Sequence, residues 1–352
     1  MDRFAIAGRA IGPGHPPYLI AELSGNHNGQ LDRALALVDA AADTGADAVK
    51  LQTYTADTIT LNVDRPEFRI HGGPWDGRHL HDLYREASTP WEWHDALFAR
   101  ARARGLACFS SPFDPTAVDF LAALDAPAMK IASFEITDTP LIGRAAALGR
   151  PVIVSTGVAS LAEIEAALAT IRAAGAPAAL LHCVSAYPAP AEEMQLTTIP
   201  TLAASFGCPV GLSDHSPGTA AAVAAVALGA CIIEKHLTLA RADGGPDAGF
   251  SLEPDEFTRL VADCRTAHAA LGTPLTDRRG IGGENAQFRR SLRVTADTPA
   301  GTALTEAHIR SVRPGGGLAP RHLPAILGRR AARDLTRGEP LRWDMLAPED
   351  TE

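Results

Sequence analysis

Eight short apolar runs, rich in Val, Ile and Leu, alternate along the chain with longer segments of helical periodicity. The runs have the length of buried strands and are bounded by turn residues, at 18–23, 48–53, 107–111, 128–132, 151–155, 179–184, 209–213 and 231–236. Segments rich in Ala, Leu, Glu and Arg lie between them, for example at 31–43, 90–104, 161–174 and 219–228. The pattern therefore predicts eight strand–helix units.

The spacing of these units favours a closed (β/α)8 barrel over an open doubly wound sheet. Six glycines stand between a predicted helix and the next strand, where a left-handed helix cap is needed: Gly45, Gly105, Gly149, Gly175, Gly207 and Gly229. All eight strands fit within about 240 residues, and no Gly-x-Gly-x-x-Gly follows the first strand. We predict a TIM-barrel domain over residues 1–272, a polar linker over 273–290 and a small C-terminal domain over 291–352.

Polar residues end or directly follow every predicted strand. They are Glu22; Lys50 and Gln52; Ser110 and Ser111; Lys130 and Ser133; Ser155 and Thr156; Cys183 and Ser185; Ser213 and His215; and Glu234 and His236. Alternate side chains of a strand share a face, so Ser213 and His215 can both enter the same end of the barrel. TIM-barrel enzymes carry their chemistry at the carboxyl ends of the strands, so the sequence predicts an active site at this mouth.

Two features of the strand ends indicate particular ligands. Lys50 and Lys130 lie inside apolar runs, where an unpaired ammonium group is costly unless an anion meets it. With the neighbouring hydroxyls they predict an oxyanion or phosphate cradle. His215 and His236 end two consecutive strands, which predicts a divalent metal site with positions open for water or substrate. Two protein ligands bind a metal weakly, so we expect a dissociable ion.

Composition narrows the class of protein. The 352-residue chain has 32 basic and 41 acidic residues, a net charge of −9, and its arginines are scattered, which argues against a nucleic-acid partner. Its five cysteines lack Cys-x-x-Cys spacing and are typical of reduced thiols. The first residues lack a signal-peptide pattern, and the longest apolar run is too short to span a bilayer. We expect a cytoplasmic protein with no membrane partner.

The sequence pattern changes over the last 60 or so residues, which indicates a separate module. A module of this size buries little apolar surface, so we expect it to dock on the barrel or on a partner subunit. Its glycine-rich loop at 310–318 carries Arg310 and Arg313. This pattern is typical either of a surface turn or of a loop that reaches an anionic or amide-bearing ligand.

Sequence blocks in order along almost the whole chain resemble those of the sialic acid synthase family. They are residues 21–29 (AELSGNHNG), 49–53 (VKLQT), 111–114 (SPFD), 130–133 (KIAS), 211–215 (GLSDH), 234–236 (EKH) and 251–254 (SLEP). The C-terminal module is similar to that family's antifreeze-like (SAF) domain, with residues 312–315 (VRPG) at its marker loop. Ser24-Gly25, Ser185 and the stretches 89–94 and 245–251 resemble the pseudaminate branch of the family.

The resemblance implies a site for phosphoenolpyruvate and one for an acetamido-deoxyhexose in the barrel mouth. Glu22 and Lys50 are then catalytic, with Glu22 steering protons at the reacting carbons. The side chains expected to bind phosphoenolpyruvate, besides Lys50, are Ser111, Lys130, Ser133, Ser185 and Ser213. Those expected to meet the sugar are Tyr187 and Asp247, with Asn26 and Gln52 as further substrate-binding candidates.

The same resemblance implies a metal cofactor and a partner subunit. His215 and His236 would hold a divalent cation, Mn²⁺ or Mg²⁺, whereas His27 is expected to be structural. Arg313 would reach the barrel mouth of the opposite subunit in a domain-swapped homodimer.

The implied reaction condenses phosphoenolpyruvate with the open-chain aldehyde of 2,4-diacetamido-2,4,6-trideoxy-L-altrose and water, giving a nonulosonic acid and phosphate. Phe250 is then the expected apolar neighbour of the 6-methyl group. The alternatives within the family are an N-acetylneuraminate or a legionaminate synthase. A Schiff-base aldolase that uses Lys130 is an alternative of another class, as is a non-enzymatic protein that binds carbohydrate or ice. Residues 291–346 show no ordered threonine array of the kind that ice binding needs.

Overall fold

A computed structural model describes residues 3–273 and 283–348 of the chain. The chain divides into two compact units, Met1–Gly272 and Thr273–Glu352. Residues 274–282, which form half of the predicted linker, lie outside the described residues.

The first unit contains a short hairpin followed by a closed eight-stranded barrel. The antiparallel hairpin consists of β1 (Phe4–Ile6) and β2 (Arg9–Ile11), and it buries Ile6 and Ile11 in the main core. The strands of the barrel are β3 (Tyr18–Glu22), β4 (Ala48–Thr53), β5 (Ala107–Pro112), β6 (Met129–Ile131), β7 (Val152–Ser155), β8 (Ala178–Cys183), β9 (Val210–Asp214) and β10 (Ile232–His236). Each strand pairs in parallel with the next, and β10 pairs with β3 to close the ring. The predicted (β/α)8 barrel is confirmed, and every predicted strand is present.

Helices follow each of the barrel strands. They are α1 (Leu31–Asp43), α2 (Ala56–Ile59), α3 (Leu80–Ala87), α4 (His94–Ala103), α5 (Pro115–Ala123), α6 (Thr139–Ala146), α7 (Leu161–Ala173), α8 (Thr198–Phe206), α9 (Ala220–Ala227) and α10 (Pro254–Leu271). The β4–β5 connection is unusual because it holds α2, α3 and an irregular loop before α4. No helix among the described residues is long and apolar enough to cross a membrane.

Local sequence explains where these elements begin and end. Ser160 and Glu163 form a capping box at the start of α7, and the Asp114 carboxylate accepts two backbone N–H groups at the start of α5. The six glycines that precede barrel strands all have positive φ, as the predicted caps require. The barrel strands are buried on both faces except at isolated positions, as expected of a parallel sheet covered by helices.

The second unit is small and mostly irregular. Its described residues form an antiparallel pair, β11 (Ser291–Val294) and β12 (Ile309–Val312), and one short α-helix, α11 (Leu323–Ile326). Isolated bridges such as Thr298 to Leu335 hold the remaining chain together. Its own apolar core includes Leu292, Ile309 and Leu341.

Candidate active site

Three charged side chains meet at the barrel mouth, where the first, second and last barrel strands lie side by side. The ammonium nitrogen of Lys50 on β4 lies 2.7 Å from Glu22 Oε2 on β3 and 3.6 Å from Glu234 Oε1 on β10. All three are buried. One cation between two carboxylates leaves a net negative charge in a site that is shielded from water.

This arrangement moves the pKa values of the two carboxyls in opposite directions. Burial raises the pKa of Glu22 despite the neighbouring Lys50 ammonium. Burial would also raise the pKa of Glu234, but Lys50 and Lys130 outweigh that effect and lower it. Burial alone would lower the pKa of Lys50, but the two carboxylates outweigh it and raise the value. Glu22 is thus the carboxyl suited to take up and return a proton, while Glu234 stays ionised.

Three more predicted residues are hydrogen-bonded to this group of charges. The Gln52 side-chain amide donates to Glu22 Oε1 at 3.0 Å, and the Lys50 ammonium donates to Ser111 Oγ at 3.3 Å. The Ser213 hydroxyl on β9 donates to Glu234 Oε1 at 3.3 Å. The structure thus brings together Glu22, Lys50, Gln52, Ser111 and Ser213.

A second cation lies at the ends of β6 and β7. Lys130 is buried, and its ammonium donates to Ser155 Oγ at 2.6 Å and to the Ile131 carbonyl at 3.0 Å. Burial lowers its pKa, and it has no ion pair with a carboxylate among residues 3–273 and 283–348. A buried ammonium whose hydrogen bonds all go to neutral groups is suited to an incoming anion.

Hydroxyls converge beside this lysine because Gly157 has no side chain. A Cβ at Gly157 would lie 2.2 Å from Ser185 Oγ and 2.9 Å from Ser133 Oγ. The Ser133 hydroxyl accepts the Gly157 backbone N–H at 3.1 Å. Two hydroxyls and a backbone N–H therefore lie together next to the Lys130 region, as in a phosphate cradle.

The two predicted metal ligands are neighbours. The ring centroids of His215 and His236 are 5.4 Å apart. His215 Nδ1 lies 3.1 Å from the Val184 carbonyl, which can only accept a hydrogen bond, so Nδ1 carries the proton and Nε2 keeps a free lone pair. His236 Nδ1 is buried without a hydrogen-bond partner in the described chain.

These two imidazoles fit a divalent ion. Burial, the largest cause, holds the pKa of His236 well below its usual value, so the ring is neutral, as a ligand must be. Among the described residues no group of three or more His, Cys, Asp or Glu side chains is arranged to hold a metal. An ion bound by the pair alone would keep most of its coordination positions for water or substrate.

The predicted sugar-binding residues lie on the loops after β8 and β10. The Tyr187 ring lies 4.5 Å from His215 and 5.1 Å from Phe250, measured between centroids. Burial, then the charge of Glu22, raises the pKa of Asp247 to about 7. The Asn26 amide donates to the Leu237 carbonyl and to Ser251 Oγ, both at 2.9 Å, so it ties the turn after β3 to the loop after β10.

His27, in the turn after β3, has structural contacts. His27 Nδ1 accepts the Gly29 backbone N–H at 3.0 Å, its ring packs edge-on against Trp93, and burial lowers its pKa to about 4. These contacts describe a neutral structural residue. Arg313 belongs to the C-terminal unit, where it lines a cavity of about 310 Å³ together with Arg310 and Arg337.

Comparison with known proteins identifies the family. A sequence profile of the NeuB family matches residues 37–275, and a profile of the SAF domain matches residues 289–347. The chain belongs to the NeuB family. The resemblance predicted from the sequence blocks, including the C-terminal antifreeze-like domain, is confirmed.

Relatives with known names cover nearly the whole chain. It is 43% identical to the pseudaminic acid synthase of Campylobacter jejuni subsp. jejuni, over 92% of this chain and 95% of that protein. It is 35% identical to the N,N'-diacetyllegionaminic acid synthase of Legionella pneumophila subsp. pneumophila, over 93% of this chain and 94% of that protein. The crystal structure of N-acetylneuraminic acid synthetase from Leptospira borgpetersenii is 32% identical, with a TM-score of 0.72 over 81% of this chain and 96% of that one.

Two parts of the site have no assigned role in the sequence analysis. The sequence marks Glu234 only as a polar residue at a strand end. Strand alternation already places it on the same face as His236, and the strand that carries Glu22 lies next to it. Trp75 has no local signal at all. It lies in the irregular part of the β4–β5 connection, and its indole N–H donates to the Pro246 carbonyl at 2.9 Å on the loop after β10.

Proposed function

We propose that this chain is a pseudaminic acid synthase. It condenses phosphoenolpyruvate with the open-chain aldehyde of 2,4-diacetamido-2,4,6-trideoxy-L-altrose and water, and it releases phosphate and a nonulosonic acid. The observation that carries the proposal is the 43% identity to a pseudaminic acid synthase over 92% of the chain. The buried lysines and acidic groups of the barrel mouth supply chemistry that suits this reaction.

The anionic donor would bind in the part of the mouth where positive charge lacks a carboxylate partner. Its phosphate would lie against Lys130, with the hydroxyls of Ser133, Ser185 and Ser213 as hydrogen-bond donors. Lys50 and Ser111, which lie 3.3 Å apart, would meet the remaining oxygens of phosphoenolpyruvate. A bound anion would then balance the buried charge of Lys130.

His215 and His236 would hold a divalent cation, Mn²⁺ or Mg²⁺. The cation, when bound, supplies a Lewis acid that polarises the aldehyde oxygen of the acceptor. The Val184 carbonyl fixes the His215 tautomer through Nδ1, which leaves Nε2 free to serve as a ligand.

The protein's own groups would manage the protons and the developing charge. C3 of phosphoenolpyruvate attacks the aldehyde carbon, which leaves positive charge at C2 beside Glu22 and Glu234. The attack converts the aldehyde oxygen into an alkoxide. Glu22 accepts a proton from the water that adds to C2, because its raised pKa makes it a competent base, and it returns this proton to the alkoxide. Collapse of the resulting tetrahedral centre breaks the C2–O bond and releases phosphate.

The assembly would be a domain-swapped homodimer in the cytoplasm. Residues 273–352 contain 13 basic and 10 acidic residues, whereas residues 1–272 contain 19 and 31, so the two units have opposite net charge. This difference supports docking of one unit on another, with Arg313 reaching the mouth of the opposite subunit. Five free, buried cysteines support a reducing compartment.

One assay tests the proposal. Phosphate release from phosphoenolpyruvate would be measured with 2,4-diacetamido-2,4,6-trideoxy-L-altrose, with its stereoisomers and with 2-acetamido hexoses, each with and without chelator. We expect release to be fastest with the L-altro sugar, to stop with chelator and to return when Mn²⁺ or Mg²⁺ is added back. Preference for another stereoisomer would replace the proposed sugar. Borohydride trapping of a carbonyl substrate on Lys130, without phosphoenolpyruvate, would instead identify an aldolase.

A further inference from the structure

The loop at 69–79, in the β4–β5 connection, is an ordered turn that presents one aromatic side chain. An isolated bridge joins Arg69 to His79, and Ile70 exchanges two backbone hydrogen bonds with the returning strand, at 2.9 and 2.8 Å. The Asp76 carboxylate accepts the Gly72 backbone N–H at 2.6 Å inside the turn. These bonds fix the tip of the loop, which carries Trp75.

Trp75 extends the aromatic surface of the barrel mouth. Its ring lies 5.6 Å from Tyr187 and 6.3 Å from Phe250, with the latter pair edge-on, and Tyr187 and Phe250 are 5.1 Å apart. The three side chains follow three different barrel strands, β4, β8 and β10. We call this group, Trp75, Tyr187 and Phe250, the aromatic wall.

The aromatic wall lines a cavity of about 430 Å³ beside the two histidines. Other lining residues include Pro188, Pro246 and Gly249. The Phe250 ring is 5.0 Å from His236, so a residue that lines the cavity packs against a proposed cation ligand. This volume falls within the usual range of small-molecule sites.

The Trp75 indole N–H and the nearby Arg78 guanidinium already have partners. The Trp75 indole N–H donates to the Pro246 carbonyl, and the Arg78 guanidinium, at the cavity edge, pairs with the Glu86 carboxylate at 2.6 Å. Trp75 therefore offers the cavity only carbon surface. A ligand hydroxyl held against that surface would lose its water without gaining a hydrogen bond, whereas a methyl group would lose nothing.

We propose that Trp75 is a specificity-determining residue that favours acceptor sugars with a methyl group at C6 over those with a hydroxymethyl group. The inference rests on the proposed function and deepens it. The acceptor's aldehyde lies at the histidine end of the cavity, and its deoxy end packs against the aromatic wall. Tyr187 and Phe250 lie on the loops after β8 and β10, while Trp75 completes the wall from the β4–β5 connection.

The test compares kcat/KM for two acceptors in wild type, Trp75→Leu and Trp75→Phe. The acceptors are 2,4-diacetamido-2,4,6-trideoxy-L-altrose and the same sugar with a 6-hydroxyl. In Trp75→Leu we expect kcat/KM to fall roughly 10- to 100-fold for the deoxy sugar but less than about 3-fold for the hydroxylated one, since one methyl or hydroxyl in an apolar pocket accounts for discrimination of this size. Trp75→Phe keeps the aromatic surface and should keep most of the preference.

Trp343→Leu is the matched control. It makes the same chemical change in the C-terminal unit, on a side chain that is 45% exposed, and should leave the preference unchanged. Equal losses for both sugars in Trp75→Leu would overturn the inference alone, because they would mark Trp75 as a structural residue. A wild-type protein that releases no phosphate with either sugar would overturn the proposed function and this inference with it.

Discussion

Single residues at the barrel mouth derive their properties from shared burial. Lys50 lies between Glu22 and Glu234, and the protein interior separates the pKa values of those two carboxyls. A pair of chemically identical groups can then perform different tasks. Glu22 is the member that the proposed reaction uses as a base.

We expect Glu22→Gln to remove turnover while leaving the donor site intact. Glutamine keeps the shape and can still contact Lys50 and Gln52, but it cannot take up a proton. Loss of a general base lowers kcat about 10²- to 10⁴-fold. Phosphate release would report kcat, and calorimetry would report phosphoenolpyruvate binding, which should change little. The exposed Glu92→Gln is the control, and normal turnover by Glu22→Gln would exclude the carboxylate from the mechanism.

Asp247 should make stability depend on pH. Its pKa is raised from 3.8 to about 7 in the folded protein, mainly by burial. The unfolded chain therefore releases this proton near pH 4 while the folded chain keeps it, so Asp247 lowers stability progressively as pH rises from about 4 to 7. Asp247→Asn cannot ionise. Its melting temperature, measured with chelator present, should exceed that of the wild type by a margin that grows across this pH range, and parallel curves would refute the effect.

Strand alternation is sufficient to predict most of the site residues. It places Lys50 with Gln52, Ser213 with His215, and Glu234 with His236 on the inner face, and the structure brings these pairs together. Trp75 could not be predicted in this way because its position depends on a contact with Pro246, 171 residues away in the chain. Arg313 lies in the other unit, so its role in the barrel mouth stays a prediction.

At the scale of elements, β9 and β10 carry predicted site residues on one face and a buried ion pair on the other. The Lys235 ammonium lies 2.7 Å from Asp214 Oδ2, and both side chains are fully buried. It also donates to the Ser216 carbonyl, while Asp214 accepts the Ser216 backbone N–H. The pair thus braces the turn that carries His215.

Removing Lys235 should destabilise the whole barrel. Lys235→Met leaves the Asp214 carboxylate buried without its cation, a change that costs about 3–5 kcal/mol. Urea unfolding would measure the loss. Adding Asp214→Asn should recover part of it, because the unpaired charge is then gone.

The exposed pair of Arg144 and Asp119 is the comparison for this prediction. Arg144→Ala should cost much less than Lys235→Met, because both partners are solvent-exposed. Similar losses for Lys235→Met and Arg144→Ala would mean that burial does not strengthen the inner pair.

The β4–β5 connection is the element that the sequence predicted least well. Its pattern indicated a helix near 90–104 and gave no sign of α2, α3 or the ordered loop at 69–79. Helix α2 has only four residues and α3 only eight, too few for a clear periodic signal. The loop is held by its own backbone bonds and by contacts to loops that follow other strands, and neither leaves a pattern in the local sequence.

At the scale of the whole molecule, the proposed swap of C-terminal units can be tested by complementation. Arg313→Ala and Glu22→Gln should each be inactive alone. In a swapped hybrid dimer, the barrel of the Arg313→Ala chain keeps Glu22 and receives Arg313 from the Glu22→Gln chain. The other barrel of the dimer stays inactive. An equal mixture that has exchanged subunits should therefore regain about a quarter of wild-type phosphate release. A mixture that stays inactive after exchange is verified would show that Arg313 does not act from the partner.

The pairing of β10 with β3, which closes the barrel, determines when activity returns during refolding. Glu22 and Lys50 lie on the consecutive strands β3 and β4, but Glu234 lies on the last strand of the barrel, so it reaches Lys50 only when β10 pairs with β3. Contacts between such distant stretches of chain form late and slowly. During renaturation, catalytic turnover should lag behind the return of the helical circular dichroism signal. The delay would measure how slowly β10 pairs with β3.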